Sequence, residues 1–367
     1  MKITSGMSAG RRTWELDNGA LQVTLMAGGG HIAGLHLHAL PGLNPLWQPV
    51  WKTIDPWRYR AGDSRRYESK LLAAIAGHNL CLGAFGGPSP DEARAGLGGH
   101  GEAPVVRWRV LRRRVSRAGL QVPLGCVLPI AQMAVRRTVT MRRGSTVVQV
   151  REEVTSLARR DLPFTMCEHV TFGPPFIEKG CTVFDMPATQ GHTFPGPFGK
   201  PQRLRTDTAF RWPQGPGARG GTVNLRTLDG NVRRSSDFST QLINPTRAVA
   251  WFSALNPRRG LLVAYVWRRE DFPWVGNWEE NYARLAKPWD GRSLTRGMEF
   301  ANTPFPVSLR AAVSMGRFQG LPTYRWLPAR GRCSLRYSIL VQQVPLGCRG
   351  VADIRPQGRG FALDLVV

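Results

Sequence analysis

The sequence predicts an all-β protein, a large antiparallel β-sandwich, and three observations point there. Apolar and polar residues alternate over Leu21-Gln22-Val23-Thr24-Leu25, Met133–Met141 and Thr146–Leu157, the period-two pattern of strands with one face on a core. Turn chemistry separates these stretches: Asn18-Gly19 closes a hairpin, and Arg142-Arg143-Gly144-Ser145 joins two long strand patterns. No helical period is sustained past a few turns. With 367 residues the chain can bury a large core, and neither a repeat nor a linker divides it.

In chain order, residues 1–12 read as a loose tail, 13–345 as the sandwich domain and 346–367 as a C-terminal extension. Trp14–Asp17 and Ala20–Leu25 flank the first turn. Gly28-Gly29-Gly30 interrupts the second strand, and His31–His38 resumes it. Pro45–Arg66 holds Trp47, Trp51 and Trp57 among prolines and arginines and reads as an irregular, aromatic-lined segment. Glu68–Ala76 suits a short helix ending at Gly77-His78-Asn79. Strand patterns dominate Val105–Val115 and Phe164–Phe176, then yield to loops around short strands over Thr189–Gly221. They return at Thr222–Leu225, Thr240–Ile243, Val249–Ser253 and Gly260–Trp267. Asp271–Asn281 reads as a polar, aromatic loop of the sort that shapes a carbohydrate groove. Pro322–Leu327 and Cys333–Gln342 form a last strand pair around Ala329-Arg330-Gly331.

Composition narrows the function classes. No run of about twenty apolar residues exists to span a membrane as a helix. Met1–Trp14 lacks the apolar stretch of a secretory leader, so a cytoplasmic setting is expected. Six cysteines without a C-x-x-C pair read as reduced, mostly buried thiols. Lys+Arg number 50 against 25 Asp+Glu, a formal charge of +25, and all but six of the basic residues are arginine. Such a surplus attracts polyanions or steers anionic small molecules. Clusters such as Arg112-Arg113-Arg114 and Arg136-Arg137 fall within strand patterns, so most of the charge is expected on exposed strand faces. A basic tail or recognition helix is lacking, which disfavours nucleic acid as a partner. His36 and His38 share one strand face, a spacing some zinc sites use, but no third ligand accompanies them. No metal and no cofactor are expected.

Three segments carry candidate chemistry. Gly98-Gly99-His100-Gly101-Glu102-Ala103-Pro104, closed by Trp108, sets an imidazole on a loop where glycines allow close backbone approach. Cys167-Glu168-His169-Val170-Thr171-Phe172 puts a second histidine inside a strand. Gly297-Met298-Glu299-Phe300 sets one carboxylate among apolar neighbours. Buried ionisable groups need partners, and two histidines meeting one glutamate make a proton-transfer site. On the residues alone, other assignments stay open. His169 also suits a core histidine bonded to a backbone carbonyl, and Glu299 an ion pair with Arg292, Arg296 or Arg310. Asp237 suits a turn beside Arg233 and Arg234, and Glu279 or Glu280 could supply a second carboxylate.

In order and content these segments resemble the galactose mutarotase-like family, the aldose 1-epimerases and their hexose-phosphate mutarotase relatives. His100-Gly101-Glu102-Ala103 with Trp108 is similar to that family's His-Gly-x-Ala…Trp segment. Glu168-His169-Val170-Thr171-Phe172 is similar to its strand histidine, and Arg296-Gly297-Met298-Glu299 to its late Gly-x-Glu strand. Ser236-Asp237-Phe238 falls where the family has a sugar-binding Asp, and Trp278-Glu279-Glu280-Asn281 where it has a Gly-Asn-Phe loop. The sequence departs where the family has Asn-Arg, carrying His78-Asn79, and where an Asn often precedes the strand histidine, carrying Glu168.

The resemblance implies the mutarotase-like supersandwich and the interconversion of sugar anomers by acid–base ring opening. It makes Glu299 the base, His169 the acid on the ring oxygen, and His100 a donor to oxygen charge. It adds Asn79 and Asp237 as holders of sugar hydroxyls and Trp274 or Trp278 as a stacking surface, with Glu279 beside them among the substrate-binding candidates. The implied partner is a monosaccharide or sugar derivative, and the arginine surplus suggests an anionic one, such as a phosphate or uronate. Two alternatives stand beside this reading: a non-catalytic carbohydrate-binding protein on the same fold, and a basic nucleic-acid-binding protein.

Overall fold

The computed structural model describes residues 1–367, and its framework is two antiparallel sheets, one of thirteen strands and one of nine, packed face to face. The larger sheet runs Lys2–Ser8, Arg11–Asp17, Leu21–Met26, Ile32–Leu37, His78–Leu82, Met166–Phe172, Leu294–Ala301, Trp274–Asn281, Ser235–Ile243, Ala188–Thr193, then three short strands. The smaller sheet centres on Leu261–Arg268, Arg332–Gln343, Val147–Ser156, Met133–Arg142 and Gly119–Leu128. Period two is visible there: Val148, Val150 and Val154 point inward, while Gln149 and Arg151 are exposed. A core cluster of 52 buried residues fills the space between the sheets. No helix is long and apolar enough to cross a membrane.

Both chain ends differ from expectation. Within residues 1–12, expected as a tail, Lys2–Ser8 forms an edge strand in register with Arg11–Asp17. Its side chains are largely exposed, so backbone pairing holds it, and that leaves no apolar alternation to read. Residues 346–367, expected as an extension, fold into the hairpin Gly350–Gln357 and Gly360–Val366. Val351, Ile354 and Phe361 pack there against Trp251, Leu262 and Val266 on the outer face of the smaller sheet.

The central strands of the larger sheet are covered on both faces. His78–Leu82, Met166–Phe172, Trp274–Asn281 and Leu294–Ala301 are buried along their whole length. One face looks into the sandwich core. Over the other lies a second cluster built from Trp47, Phe85, Phe238, Trp278, Trp289 and Phe305. This explains why Asp271–Asn281 read as a loop: a strand buried on both faces loses its polar alternation, and this one carries Trp, Asn and Glu in both directions.

A buried polar network ties the sheets together on the core side. Arg137 and Glu152 are cross-strand partners that form an ion pair with both side chains buried. Arg137 also donates to the Gly30 carbonyl at 2.7 Å and reaches Glu168 at 3.4 Å. His78 Nε2 lies 2.7 Å from the same Glu168 oxygen, and the Tyr337 hydroxyl donates to it at 3.3 Å.

Candidate functional site

Adjacent residues on the central strands point to opposite faces, and this splits two dipeptides. In His78-Asn79 the histidine enters the core network and Asn79 takes the other face. In Glu168-His169 the glutamate enters the core and His169 takes the other face. Asn79, His169, Glu299 and Gly276 then follow one another across four strands in register. Gly276 and Gly297 make room for the carboxylate: a Cβ on Gly297 would stand 2.3 Å from Glu299 Oε1, and one on Gly276 3.2 Å from Oε2.

The loop histidine reaches the same place. Gly101 bridges to Leu82, and a Cβ there would stand 2.1 Å from the Leu82 carbonyl oxygen. Only glycine permits that approach, at a φ of 73°. His100 itself sits at a φ of 64°, a conformation non-glycine residues seldom adopt and one often found at functional sites. Its Nδ1 lies 3.3 Å from Asn79 Oδ1, and its ring centroid 4.7 Å from that of His169. Trp108 pins the far end of the loop, donating from Nε1 to the Ala103 carbonyl at 3.0 Å.

His169 is the hub. Its Nε2 is 3.0 Å from Glu299 Oε1, its Nδ1 is 3.1 Å from the Thr171 hydroxyl, and Trp278 meets it edge-on at 5.8 Å. The close approach to Glu299 is not an aligned hydrogen bond: Glu299 Oε1, Asn79 Nδ2 and Trp278 Nε1 are all buried without a partner. Three unpartnered polar atoms thus surround one imidazole and are free to meet a polar ligand. Burial pushes the Glu299 carboxyl well above its ordinary range. Burial and the neighbouring His100 push the His169 imidazole well below its own. Both groups are thereby driven toward their uncharged forms.

None of the three arginines weighed as partners holds Glu299. Arg292 pairs with Asp290, Arg310 with Asp91, and Arg296 with Glu279. Three expected site residues lie elsewhere. Asp237 and Glu279 are cross-strand partners on the opposite face of the sheet. Asp237 accepts from the amides of Arg203 and Leu204 at 3.0 Å each, and burial pushes its carboxyl up to about 6. Glu279 is held by Arg203 at 2.6 Å and by the Ser235 hydroxyl at 2.5 Å. Trp274 shares the site face but is fully buried, its Nε1 donating to Gln319 at 3.0 Å, so it offers no ring for stacking. Asn79, His100, His169, Trp278 and Glu299 do come together. No group of three or more His, Cys, Asp or Glu has metal-holding geometry. The aromatic cluster roofs the site, and a cavity of about 970 Å³ lies on the other sheet.

The fold is shared with solved structures. A candidate aldose 1-epimerase from Klebsiella pneumoniae superposes with a TM-score of 0.65 at 11% identity, over 92% of this chain and 80% of that one. A galactose mutarotase-like protein from Clostridium acetobutylicum gives 0.62 at 11% identity, over 94% and 99%. A galactose mutarotase related enzyme from Lactobacillus acidophilus gives 0.58 at 12%, over 91% and 98%. The chain has the galactose mutarotase-like fold. No protein-family model matches the sequence, and no curated protein matches it by sequence.

Within this mutarotase-like fold, sequence reasoning missed two neighbours of the site. Cys81 and Cys167 are direct cross-strand partners on the site face, both buried free thiols. Nothing in their spacing, 86 residues apart, signals the contact. Arg284 was missed as well: it lies over the Trp278 ring at 5.3 Å and the Trp289 ring at 4.9 Å.

Proposed function

We propose that this chain is an isomerase of the aldose 1-epimerase type, interconverting the α and β anomers of a monosaccharide or sugar derivative. The observation that carries this reading is the Glu299–His169 approach at 3.0 Å, flanked by His100 and by unpartnered polar atoms of Asn79 and Trp278. Ring opening moves two protons: Glu299 takes one from the C1 hydroxyl, and His169 gives one to the ring oxygen. That transfer starts from the carboxylate–imidazolium form of the pair, which burial disfavours and which the hydroxyls of a bound sugar have to stabilise, and it ends with carboxyl and imidazole. Rotation about C1–C2 and the reverse transfers close the ring on the other face. A pair that holds one proton suffices for the whole cycle, and each acid–base role contributes about 10²–10⁴ in rate. His100 donates to the developing oxygen charge, Asn79 to a hydroxyl, and Trp278 offers its Nε1–H and its ring. An anionic substituent would meet Arg284. The cytoplasm is part of the same reading, supported by six free cysteines.

The test is polarimetry or exchange NMR on fresh α-glucose, α-galactose and hexose 6-phosphates. Acceleration that disappears in Glu299→Gln and His169→Ala supports the assignment, and acceleration unchanged in both removes it. The aromatic roof favours a second reading, a protein that holds a sugar without turning it over. Saturable sugar binding with no acceleration by the unaltered chain would select that one.

A further inference from the structure

A cavity of about 970 Å³ lies on the outer face of the nine-stranded sheet, across the sandwich from the Glu299 site. The C-terminal hairpin walls one side with Pro356 and Phe361, and the strand Arg114–Ser116 bounds the other. Six arginines line it: Arg112, Arg114, Arg136, Arg151, Arg268 and Arg336. Only Glu153 opposes them from within, and it is shared by Arg151 at 3.1 Å and Arg332 at 3.6 Å. Arg268 is engaged by Glu270 and Asp271. Arg112, Arg114, Arg136 and Arg336 pair with no carboxylate. Arg151 stands directly opposite Arg336 in the strand register. Like charges in that position weaken a sheet, so the fold gains nothing from them.

Between the arginines the floor is neutral and hydrogen-bonding: Thr138, Thr140, Gln149 and Ser338. Trp267 and Tyr337 are buried beneath it, so no exposed aromatic ring stands in the floor to stack on a base, as single-stranded nucleic acids require. A concave sheet face also has no projecting element to enter a duplex groove. Guanidinium forks match planar carboxylates and sulfates, and hydroxyl and amide side chains match the hydroxyls of a sugar. Arg151 and Arg336 stand on neighbouring strands, about 4.8 Å apart, and Arg136 lies one strand further on, opposite Glu153, so several charges are set along the groove for an extended chain to meet.

We propose that this groove binds an acidic polysaccharide, a chain of sugars carrying carboxylates or sulfates. It does so independently of the Glu299 site, because the two lie on different sheets.

Calorimetry on the full chain tests this, using oligogalacturonate, its methyl ester, a sulfated oligosaccharide, and single-stranded RNA and duplex DNA of matched charge. The triple variant R136Q/R151Q/R336Q is set against R65Q/R219Q/R233Q, which removes equal charge elsewhere, with thermal melts to show that both fold. The expected result is binding of an acidic oligosaccharide at physiological salt, weakened about 10- to 100-fold in the groove triple and at most twofold in the control. The preferred acid names the carboxylate or sulfate source. No binding, equal loss in both triples, equal binding of the methyl ester, or tighter groove-dependent binding of nucleic acid would overturn the proposal. Loss of mutarotation in Glu299→Gln leaves this binding untouched, so the two readings fail separately.

Discussion

The strands His78–Leu82 and Met166–Phe172 carry histidine and carboxylate chemistry on both faces, and the faces treat it differently. On the core side His78, Glu168, Arg137 and Glu152 engage one another and the Gly30 carbonyl, with one guanidinium reaching both carboxylates, although Glu152 Oε2 and Glu168 Oε1 have no partner. On the other side His169 and Glu299 stand 3.0 Å apart while Glu299 Oε1, Asn79 Nδ2 and Trp278 Nε1 go unpaired. A densely engaged buried network rigidifies a fold, whereas orphaned groups are costly unless something else meets them. The same residue types thus serve architecture on one face and, in the proposed function, chemistry on the other, and the guanidinium of Arg137, present on the core face and lacking beside Glu299, tells them apart.

The largest expected effect comes from the unpaired face. Glu299→Gln and His169→Ala should each lower the mutarotation rate by about 10²–10⁴ while moving the melting temperature little, because neither anchors the core. Polarimetry against differential scanning calorimetry separates the two readouts. The core face should behave in the opposite way. Arg137→Leu strands Glu152 and Glu168 in the core and should cost about 3–5 kcal/mol in a denaturant titration. The double variant Arg137→Leu/Glu152→Leu should recover part of that loss.

The two faces should also answer pH separately. On the site face the proposed cycle needs one proton shared by Glu299 and His169. The rate should fall in acid, as His169 takes up a second proton below its lowered value, and fall in alkali, as the pair gives up its only one. A bell-shaped kcat/KM profile that loses a limb in Glu299→Gln is the expected signature. On the core face two carboxyls share one guanidinium, and burial raises both above the reference value of 4.5. A carboxyl raised by folding stabilises below its unfolded value, and that stability is lost as pH rises through the folded one. Burial holds His31 and His78 well below 6.5, so their contribution is lost as pH falls. Between 4.5 and 6.5 the two effects oppose each other. Above 6.5 the carboxyl effect is opposed by Cys81, whose thiol, against the push of burial, is lowered to about 6 by Cys167 and His100, and Glu152→Gln should make unfolding midpoints decline less, or rise more, with pH there.

This contrast also explains what the sequence made legible. The outer strands of the smaller sheet, with one wet face, announced themselves by alternation. His100, His169 and Glu299 announced themselves as ionisable groups in glycine-rich or apolar settings. Among the central strands Met166–Phe172 was legible and Trp274–Asn281 was not, because both faces of the latter are dry and it alternates between two kinds of burial. Which face a residue takes depends on a register no local pattern records, so Asp237 and Glu279 could be assigned to a neighbourhood but not to a side. The edge strand Lys2–Ser8 is held by backbone pairing, which leaves no trace in side-chain character.

Asp237 gives the smallest expected effect and the sharpest check on which face does what. Its position between Ser236 and Phe238 matches where a sugar-binding aspartate is expected, yet it accepts two amide hydrogen bonds from Arg203 and Leu204 at 3.0 Å, on the face away from His169. Asp237→Asn keeps a carbonyl oxygen that can accept from one of those amides and gives up the charge-assisted part of the contact, a cost of about 1 kcal/mol. Stability should fall by that amount while KM and kcat stay within twofold. Trp278→Phe, four strand positions from Trp274 on the site face, should do the reverse and raise KM several-fold through loss of its unpaired Nε1–H. Should Asp237→Asn raise KM and Trp278→Phe leave it alone, the sugar is on the core side of the sheet and the division of the two faces drawn above is inverted.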